Sequence, residues 1–220
     1  MKGNETMGGN SNDGVQEQTA DLNVIVNVPN SLSAIRLVIS FVVCGLIAAD
    51  VYLVALILFV IAAGTDWIDG WWARKYNQVT KLGRILDPFC DKILICGTFI
   101  LLATKMDSVS WLYAISGVVA VVVVGRELLV TALRSAIEGS GGDFSAKYAA
   151  KLKMLFQCLA AGAGLLFLYD QSREEPIPTW LIWFLGINVW LTLLFTLYSG
   201  FEYVMAAARM LRQKNVSEID

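Results

Sequence analysis

Six apolar stretches, each close to the length that a helix needs to cross a lipid bilayer, follow one another along this chain. The 220 residues are 56% hydrophobic and only 16% charged, with a mean hydropathy of +0.60. A spanning helix needs about 20 apolar residues, and it satisfies its own backbone hydrogen bonds in lipid. The sequence therefore predicts an all-α polytopic membrane protein, a six-transmembrane-helix bundle. The stretches lie at roughly 31–49, 51–68, 85–104, 110–133, 148–170 and 177–205.

The two ends of the chain differ from the apolar region. Residues 1–22 are mostly Gly, Asn, Gln, Thr and acidic residues, with almost no large apolar side chain, so they cannot form a packed core. They also lack the basic start and apolar centre of a signal peptide. We expect a disordered polar tail over 1–22, one membrane domain over 23–214 and a C-terminal tail over 215–220.

Basic residues predict the orientation, because Lys and Arg concentrate in cytoplasmic loops. If the N-terminus is cytoplasmic, all of the 17 lysines and arginines except Lys105 and Arg173 fall on the cytoplasmic side. The sequence therefore predicts an integral, multi-pass membrane protein whose N-terminus and residues 66–91 face the cytoplasm.

Four aspartates interrupt the apolar pattern between the second and third stretches. Asp66 and Asp69 are three residues apart, and Asp87 and Asp91 are four apart, so each pair would project from one face of a helix. Ionised groups at membrane depth are costly and need a compensating partner. Two acidic helix faces that meet would form an oxygen-rich site of the kind that Mg²⁺ or Mn²⁺ occupies.

The neighbours of the aspartates favour a substrate that carries a diphosphate. Gly70 and Gly83 would let a bulky ligand approach the backbone, and Arg74 could make a bidentate contact with a phosphate. Two bound ions about 4 Å apart would stabilise a displacement at phosphorus. Helix capping or pairing with nearby lysines could explain one aspartate, but it explains four at this spacing poorly. The chain has no histidine, so a general base must be a carboxylate, a lysine or another group.

The whole segment resembles the signature of the CDP-alcohol phosphotransferase family, with every position filled. The string reads Asp66-x2-Asp69-Gly70-x2-Ala73-Arg74-x8-Gly83-x3-Asp87-x3-Asp91. The resemblance implies a six-helix membrane enzyme, usually a homodimer, that displaces CMP from a CDP-linked substrate with an alcohol. It implies that Asp66, Asp69 and Asp87 bind divalent metal and that Asp91 is a ligand, the general base or both; four carboxylates can hold one or two ions, and we expect two. It also implies a CDP-donor pocket formed by Asn30, Ser33, Gly70, Ala73, Arg74, Thr80 and Gly83.

Other segments bear on the acceptor. Residues 27–36, 124–134, 145–157 and 196–203 resemble the branch of that family whose acceptor is glycerol 3-phosphate. That acceptor is a dianion near neutral pH and needs a cationic pocket. Arg126 and Glu127, at the inner end of an apolar stretch, form an intramembrane ion-pair candidate. The residues predicted to bind the acceptor phosphate are Arg126, Arg134, Lys147 and Lys151. The remaining basic residues of this region, Lys153, Arg209, Arg212 and Lys214, are expected to bind anionic lipid head groups.

These features together predict transfer of a phosphatidyl group from CDP-diacylglycerol to glycerol 3-phosphate, with release of CMP. Asp91 would take the hydroxyl proton as the acceptor oxygen attacks the β-phosphorus. One alternative is another acceptor, either an inositol phosphate or phosphatidylglycerol. A divalent-cation transporter is a further alternative, but it would need a polar path to the outer face. The outer halves of the second and third stretches are almost wholly apolar. The expected partners are the two substrates, the bilayer and a second copy of the chain, with no nucleic acid.

Overall fold

A computed structural model describes the backbone of residues 28–76, 81–107, 109–110, 112–138, 148–173 and 176–217. It describes side chains for residues 34–65, 89, 92–107, 109–110, 112–135, 152–173 and 176–209. Six α-helices and no strand occupy these ranges, which confirms the all-helical prediction. The helices are α1 (Val28–Ala48), α2 (Tyr52–Tyr76), α3 (Lys81–Lys105), α4 (Gly117–Glu138), α5 (Tyr148–Ser172) and α6 (Thr179–Ser217).

The helices pack as one bundle around a shared apolar core. α1 packs against α2 and α3, α5 packs against α2, α3 and α6, and α4 packs against α3 and α6. Fully buried side chains at the centre include Phe59 on α2, Phe99 on α3 and Leu165 on α5. These contacts place α3, whose described side chains resume just after Asp91, against both α4 and α5.

The fourth helix begins later than its apolar stretch predicts, at Gly117 rather than near residue 110. Ser116 explains the start, because its hydroxyl accepts a hydrogen bond from the Val119 N–H at 3.5 Å and its carbonyl accepts one from the Ala120 N–H at 3.0 Å. These contacts are those of a serine N-cap, which satisfies a backbone donor at the helix start. A local side-chain contact thus overrides the apolar pattern at this end.

Large apolar side chains also cover much of the outside of the bundle. On α4, Val118 and Val121 are 73% and 72% exposed, and α1, α2 and α6 carry similar outward-facing residues. Contiguous apolar surface of this kind is rare on soluble monomers and is normal where a protein faces lipid. By length and composition, two segments could cross a membrane, Leu152–Ser172 and Thr179–Arg209, and the apolar segments Ala34–Ala48 and Tyr52–Thr65 are shorter. This surface and these helices are consistent with a membrane protein.

Small residues allow the closest helix contacts. A Cβ at Gly97 on α3 would lie 2.7 Å from the Sγ of Cys44 on α1, and one at Gly164 on α5 would lie 3.1 Å from side chains of Leu102 and Ile115. Both distances are shorter than an ordinary contact, so a side chain at position 97 would force Cys44 to move and one at position 164 would require a small shift of the Leu102 and Ile115 side chains.

A polar contact between Asp50 and Lys105, here called the Asp50–Lys105 latch, joins the C-terminal ends of α1 and α3. Asp50 has a φ of 61°, and the Val51 N–H donates to the Leu46 carbonyl at 2.9 Å, as in a helix C-terminus closed by a left-handed residue. Lys105 Nζ, in the last turn of α3, donates to Asp50 Oδ1 at 2.6 Å and to the Ala48 carbonyl at 3.2 Å. Lys105 therefore both pairs with the turn and caps α1.

Gly97→Ala is expected to destabilise the bundle by about 1–3 kcal/mol, because the new methyl group overlaps Cys44 Sγ. The double variant with Cys44→Ala should recover most of that loss, since the sulfur atom is removed. Thermal unfolding in detergent measures both. Gly45→Ala is the matched control, because nothing lies within 4 Å of a Cβ there. A Gly97→Ala variant as stable as the parent would contradict the close approach of α1 and α3.

Lys105→Met is expected to lower Tm at neutral pH. The hydrogen bond from Lys105, followed by that from the Tyr52 hydroxyl, holds the pKa of Asp50 below its usual value. A lowered pKa in the folded state contributes stability above the unfolded value of about 3.9, and this stability is lost as the pH falls through the folded value. The Tm difference between Lys105→Met and the parent should therefore shrink below about pH 3.9. At neutral pH, adding Asp50→Asn to Lys105→Met should cause no further loss of Tm. If the Tm difference between Lys105→Met and the parent does not depend on pH, the ion pair is not its cause.

Candidate functional site

The two acidic pairs predicted to bind metal both lie on helices. Asp66 and Asp69 belong to α2, and Asp87 and Asp91 belong to α3, so the i,i+3 and i,i+4 spacing is helical spacing. Their side chains lie outside the described residues. Among the side chains that are described, no group of three His, Cys, Asp or Glu could hold a metal ion. The metal site therefore stays a prediction about these four aspartates.

The predicted donor pocket also falls outside the described side chains. This applies to Asn30, Ser33, Gly70, Ala73, Arg74, Thr80 and Gly83, and equally to the acceptor candidates Lys147 and Lys151. Arg126 and Arg134 are the two predicted binding residues whose side chains can be described.

Arg126 lies in a buried ionic cluster formed by three helices. Its Nη1 donates to Glu127 Oε1 at 3.3 Å, and its Nη2 donates to Ser199 Oγ on α6 at 3.1 Å. Lys153 Nζ, from α5, donates to the same Glu127 oxygen. The side chains of Arg126, Glu127 and Lys153 are only 9%, 12% and 7% exposed. The Arg126–Glu127 ion pair predicted from the sequence is thus present and buried, and a second cation shares its carboxylate.

Tyr203 connects the two described acceptor candidates. Its hydroxyl accepts a hydrogen bond from Arg134 Nη2 at 3.3 Å. The guanidinium carbons of Arg126 and Arg134 lie 5.5 Å and 6.0 Å from the centre of the Tyr203 ring. Such distances are those of cation–π contacts. The two arginines, eight positions apart on α4, are therefore brought to one aromatic ring of α6.

A glycine on α6 makes room for the stem of Arg126. A Cβ at Gly200 would lie 3.4 Å from Arg126 Cγ, which leaves a methyl group only ordinary contact distance. Gly200 and its neighbour Ser199 therefore contact both the stem and the head of the same arginine.

The cluster carries a net positive charge away from bulk water. Arg126, Arg134 and Lys153 are cations and Glu127 is the one carboxylate among them, so the net charge is +2. The Lys92 ammonium on α3 lies within electrostatic range of Glu127. Lys92 directly follows Asp91, the last residue of the acidic segment. The backbone of α3 at Asp91 therefore lies near this cluster. Charges act over longer distances here than at a hydrated surface.

Several buried donors near the cluster have no partner among the described residues. These include the Nε atoms of Arg126 and Arg134. One helical turn from Lys153 and Ser199, Gln157 Nε2 and Thr196 Oγ1 are in the same condition, and both residues are almost fully buried. A buried polar group without a partner costs about 1–3 kcal/mol, so such groups mark a place where a ligand or water can bind.

The structure corrects one sequence expectation in this region. Lys153 was assigned to lipid head groups, which is wrong because the residue is 6% exposed and pairs with Glu127. Its charge cannot contact head groups while it points into the bundle. Its spacing of four residues from the polar Gln157, within an apolar helix, is the signal that indicates a buried face. Ser199 and Tyr203 are also part of the cluster; both belong to the segment 196–203 that resembles the glycerol 3-phosphate branch, but the sequence did not predict their contacts with the arginines.

Comparison with known proteins identifies the family. The family profile described as CDP-alcohol phosphatidyltransferase matches residues 26–198. The chain is similar to the CDP-diacylglycerol–glycerol-3-phosphate 3-phosphatidyltransferase of Bacillus subtilis (strain 168), with 34% identity over 164 residues, which cover 74% of this chain and 78% of the relative. Proteins with the same name from Yersinia pestis (strain Pestoides F) and Haemophilus influenzae are each 29% identical over 187 residues. These alignments cover 83% and 82% of this chain and 95% and 93% of the relatives.

The family match includes both acidic helical segments and the α4 and α5 residues of the ionic cluster. It extends over most of the chain, as do the relatives. The chain therefore belongs to the CDP-alcohol phosphatidyltransferase family.

Proposed function

We propose that this chain transfers a phosphatidyl group from CDP-diacylglycerol to glycerol 3-phosphate, giving phosphatidylglycerophosphate and CMP. The observation that carries this assignment is the cationic cluster in which Arg126 and Lys153 pair with Glu127 and Arg134 contacts the same tyrosine, Tyr203, as Arg126. The names of the similar proteins point to the same reaction. An acceptor without a phosphate would not require a cluster of this charge.

The charge of the cluster matches that of the acceptor. A phosphate monoester near neutral pH is close to a dianion, and the net charge of Arg126, Arg134, Lys153 and Glu127 is +2. Arginine presents several N–H donors in a planar fork that suits phosphate oxygens. The unpartnered Nε donors of both arginines offer hydrogen bonds that a phosphate could accept. We assign the acceptor phosphate to this cluster, with Lys147 and Lys151 as further cations at the start of α5.

We assign the donor and its divalent cations to the acidic segments of α2 and α3. Four carboxylates and no histidine form a hard donor set, which fits Mg²⁺ or Mn²⁺. When bound, such ions neutralise charge on a diphosphate and polarise its phosphorus centre. We assign metal ligation to Asp66, Asp69 and Asp87, with Asp91 as ligand and as the base that takes the acceptor proton. Arg74 and the small residues around it would hold the CDP group.

The proposed function also implies a membrane topology and an oligomeric state. All six helices would cross the bilayer, with the N-terminus and the substrate sites on the cytoplasmic side and the Asp50–Lys105 latch at the opposite surface. The membrane domain would extend from 23 to 214 between polar tails. A homodimer is proposed from the family resemblance. The apolar outer surfaces of α1, α2, α4 and α6 support the spanning helices.

The two alternatives to this function are transfer to another acceptor and cation transport. An inositol phosphate would also satisfy the cationic cluster, and phosphatidylglycerol would satisfy it less fully because its phosphodiester carries one charge. A cation transporter would need polar groups leading outward from the aspartates. The described buried residues in the outer halves of α2 and α3, such as Ala55, Phe59, Phe99 and Leu102, are apolar apart from Thr98, which disfavours that path.

Asp69→Asn and Asp87→Asn are each expected to reduce CMP release by at least about 100-fold, because each removes a charged ligand of the proposed metal site. EDTA should abolish the activity of the parent protein, and added Mg²⁺ or Mn²⁺ should restore it. CMP release from CDP-diacylglycerol in detergent micelles measures both effects. Asp107→Asn is the control, because this residue lies beyond the end of α3. Activity that persists in EDTA would overturn the metal assignment.

Arg126→Gln is expected to raise the KM for glycerol 3-phosphate by about 10–100-fold, the effect of losing one charged hydrogen bond of about 1.5–3 kcal/mol. The KM for CDP-diacylglycerol should change little. The control is Arg209→Gln, an exposed residue far along α6. An acceptor panel with serine, an inositol phosphate and phosphatidylglycerol identifies the alcohol. Release of CMP with none of them would contradict the enzyme assignment, and an unchanged KM in Arg126→Gln would contradict the acceptor site.

A further inference from the structure

One carboxylate oxygen holds two cations that come from different helices. Glu127 Oε1 accepts from Arg126 Nη1 at 3.3 Å and from Lys153 Nζ, and all three side chains are largely buried. Without that carboxylate, two buried cations would face each other at short range in a medium of low dielectric. Glu127 therefore determines where both of them lie.

The guanidinium of Arg126 is held from two sides. Glu127 fixes Nη1 from α4, and Ser199 fixes Nη2 from α6 at 3.1 Å. Gly200 leaves space for the stem, so α6 supports the side chain along its length. Within the described part of the chain, these bonds use two of the five N–H donors of the guanidinium and leave Nε among the others.

We propose that Glu127 is a positioning residue for the acceptor: it fixes the Arg126 guanidinium, with Lys153 bound to the same oxygen, before the acceptor phosphate arrives. This inference rests on the proposed acceptor site at Arg126. A guanidinium that is already ordered loses less conformational freedom when a ligand binds, which strengthens binding. Orientation also matters to the reaction, because a small displacement of the bound alcohol moves its hydroxyl away from the phosphorus.

The proposal differs from a purely structural role in a measurable way. If the Glu127–Lys153 pair only ties α4 to α5, its removal should lower stability and affect both substrates alike. If Glu127 orients Arg126, its removal should affect the acceptor selectively. Glu127→Gln alone cannot separate these roles, because it leaves Lys153 buried without its counter-charge.

The decisive variant is therefore Glu127→Gln combined with Lys153→Met. It removes one anion and one cation, so the net charge of Arg126, Arg134, Lys153 and Glu127 stays at +2; the buried charge of Lys153 is gone, while Arg126 loses its carboxylate and keeps its hydrogen bond to Ser199. We expect Glu127→Gln to lower Tm and to raise the KM for glycerol 3-phosphate about tenfold. We expect the double variant to regain the part of the lost Tm that comes from unpaired Lys153, while its KM for glycerol 3-phosphate stays above that of Lys153→Met alone and its KM for CDP-diacylglycerol stays within about twofold of the parent.

Binding without turnover gives a second measurement. The Tm increase produced by glycerol 3-phosphate alone, in the absence of donor, should be smaller in the double variant than in the parent at equal concentration. Glu127→Asp, which keeps the charge on a shorter side chain, should retain part of the acceptor affinity. Asp170→Asn, an acid-to-amide change at the far end of α5, is the matched control and should behave as the parent.

The outcomes separate this inference from the assignment on which it depends. If Arg126→Gln raises the acceptor KM and the double variant does not, the acceptor site stands and the positioning role of Glu127 is wrong. If stability and acceptor KM recover together in the double variant, Glu127 is only structural. If Arg126→Gln itself leaves the acceptor KM unchanged, the proposed acceptor site fails first.

Discussion

The pairing of buried charges is the constraint on which the inner half of this bundle depends. An ion in a low-dielectric interior is tolerated only with a partner, so Arg126 and Lys153 need the Glu127 carboxylate, and the Lys153–Glu127 pair links α5 to α4 through their side chains. Two residues of α6 also contact Arg126: Ser199 accepts a hydrogen bond from it, and the Tyr203 ring makes a cation–π contact with it.

The two halves of the proposed site follow from the direction in which the helices run. α3 carries the second acidic pair near its beginning and then enters the bundle beside the cluster, as the influence of Lys92 on Glu127 indicates. The acidic segments offer oxygen ligands, and the cluster offers N–H donors. A donor nucleotide with its cations and an anionic acceptor need these opposite environments side by side. The proposed reaction is therefore consistent with a charge distribution that would otherwise be difficult to explain inside an apolar bundle.

Much of the fold could be predicted because an apolar segment in lipid has to satisfy its own backbone hydrogen bonds. Apolar stretches of bilayer length must be helical, and the six helices follow the stretches to within a few residues at most ends. The start of α4 differs from the start of its apolar stretch because the Ser116 hydroxyl caps the backbone there. A hydropathy pattern does not detect this local effect. The close approach at Gly97 was also unpredictable, because a glycine in an apolar helix does not reveal which neighbour will approach it.

The sequence by itself determined the helical class, the family signature from Asp66 to Asp91 and the prediction that Arg126 lies at a site. Helical spacing and the cost of unpaired charge in lipid are properties of the chain alone. Only the tertiary structure decided that Lys153 points inward, that Ser199 and Tyr203 contact the arginines, and that Glu127 holds two cations at once. Those contacts join residues up to 73 positions apart. Which side chains meet at such separations is decided by the packing of α4, α5 and α6, because a helix fixes the face of each residue but not the partner helix that the face meets.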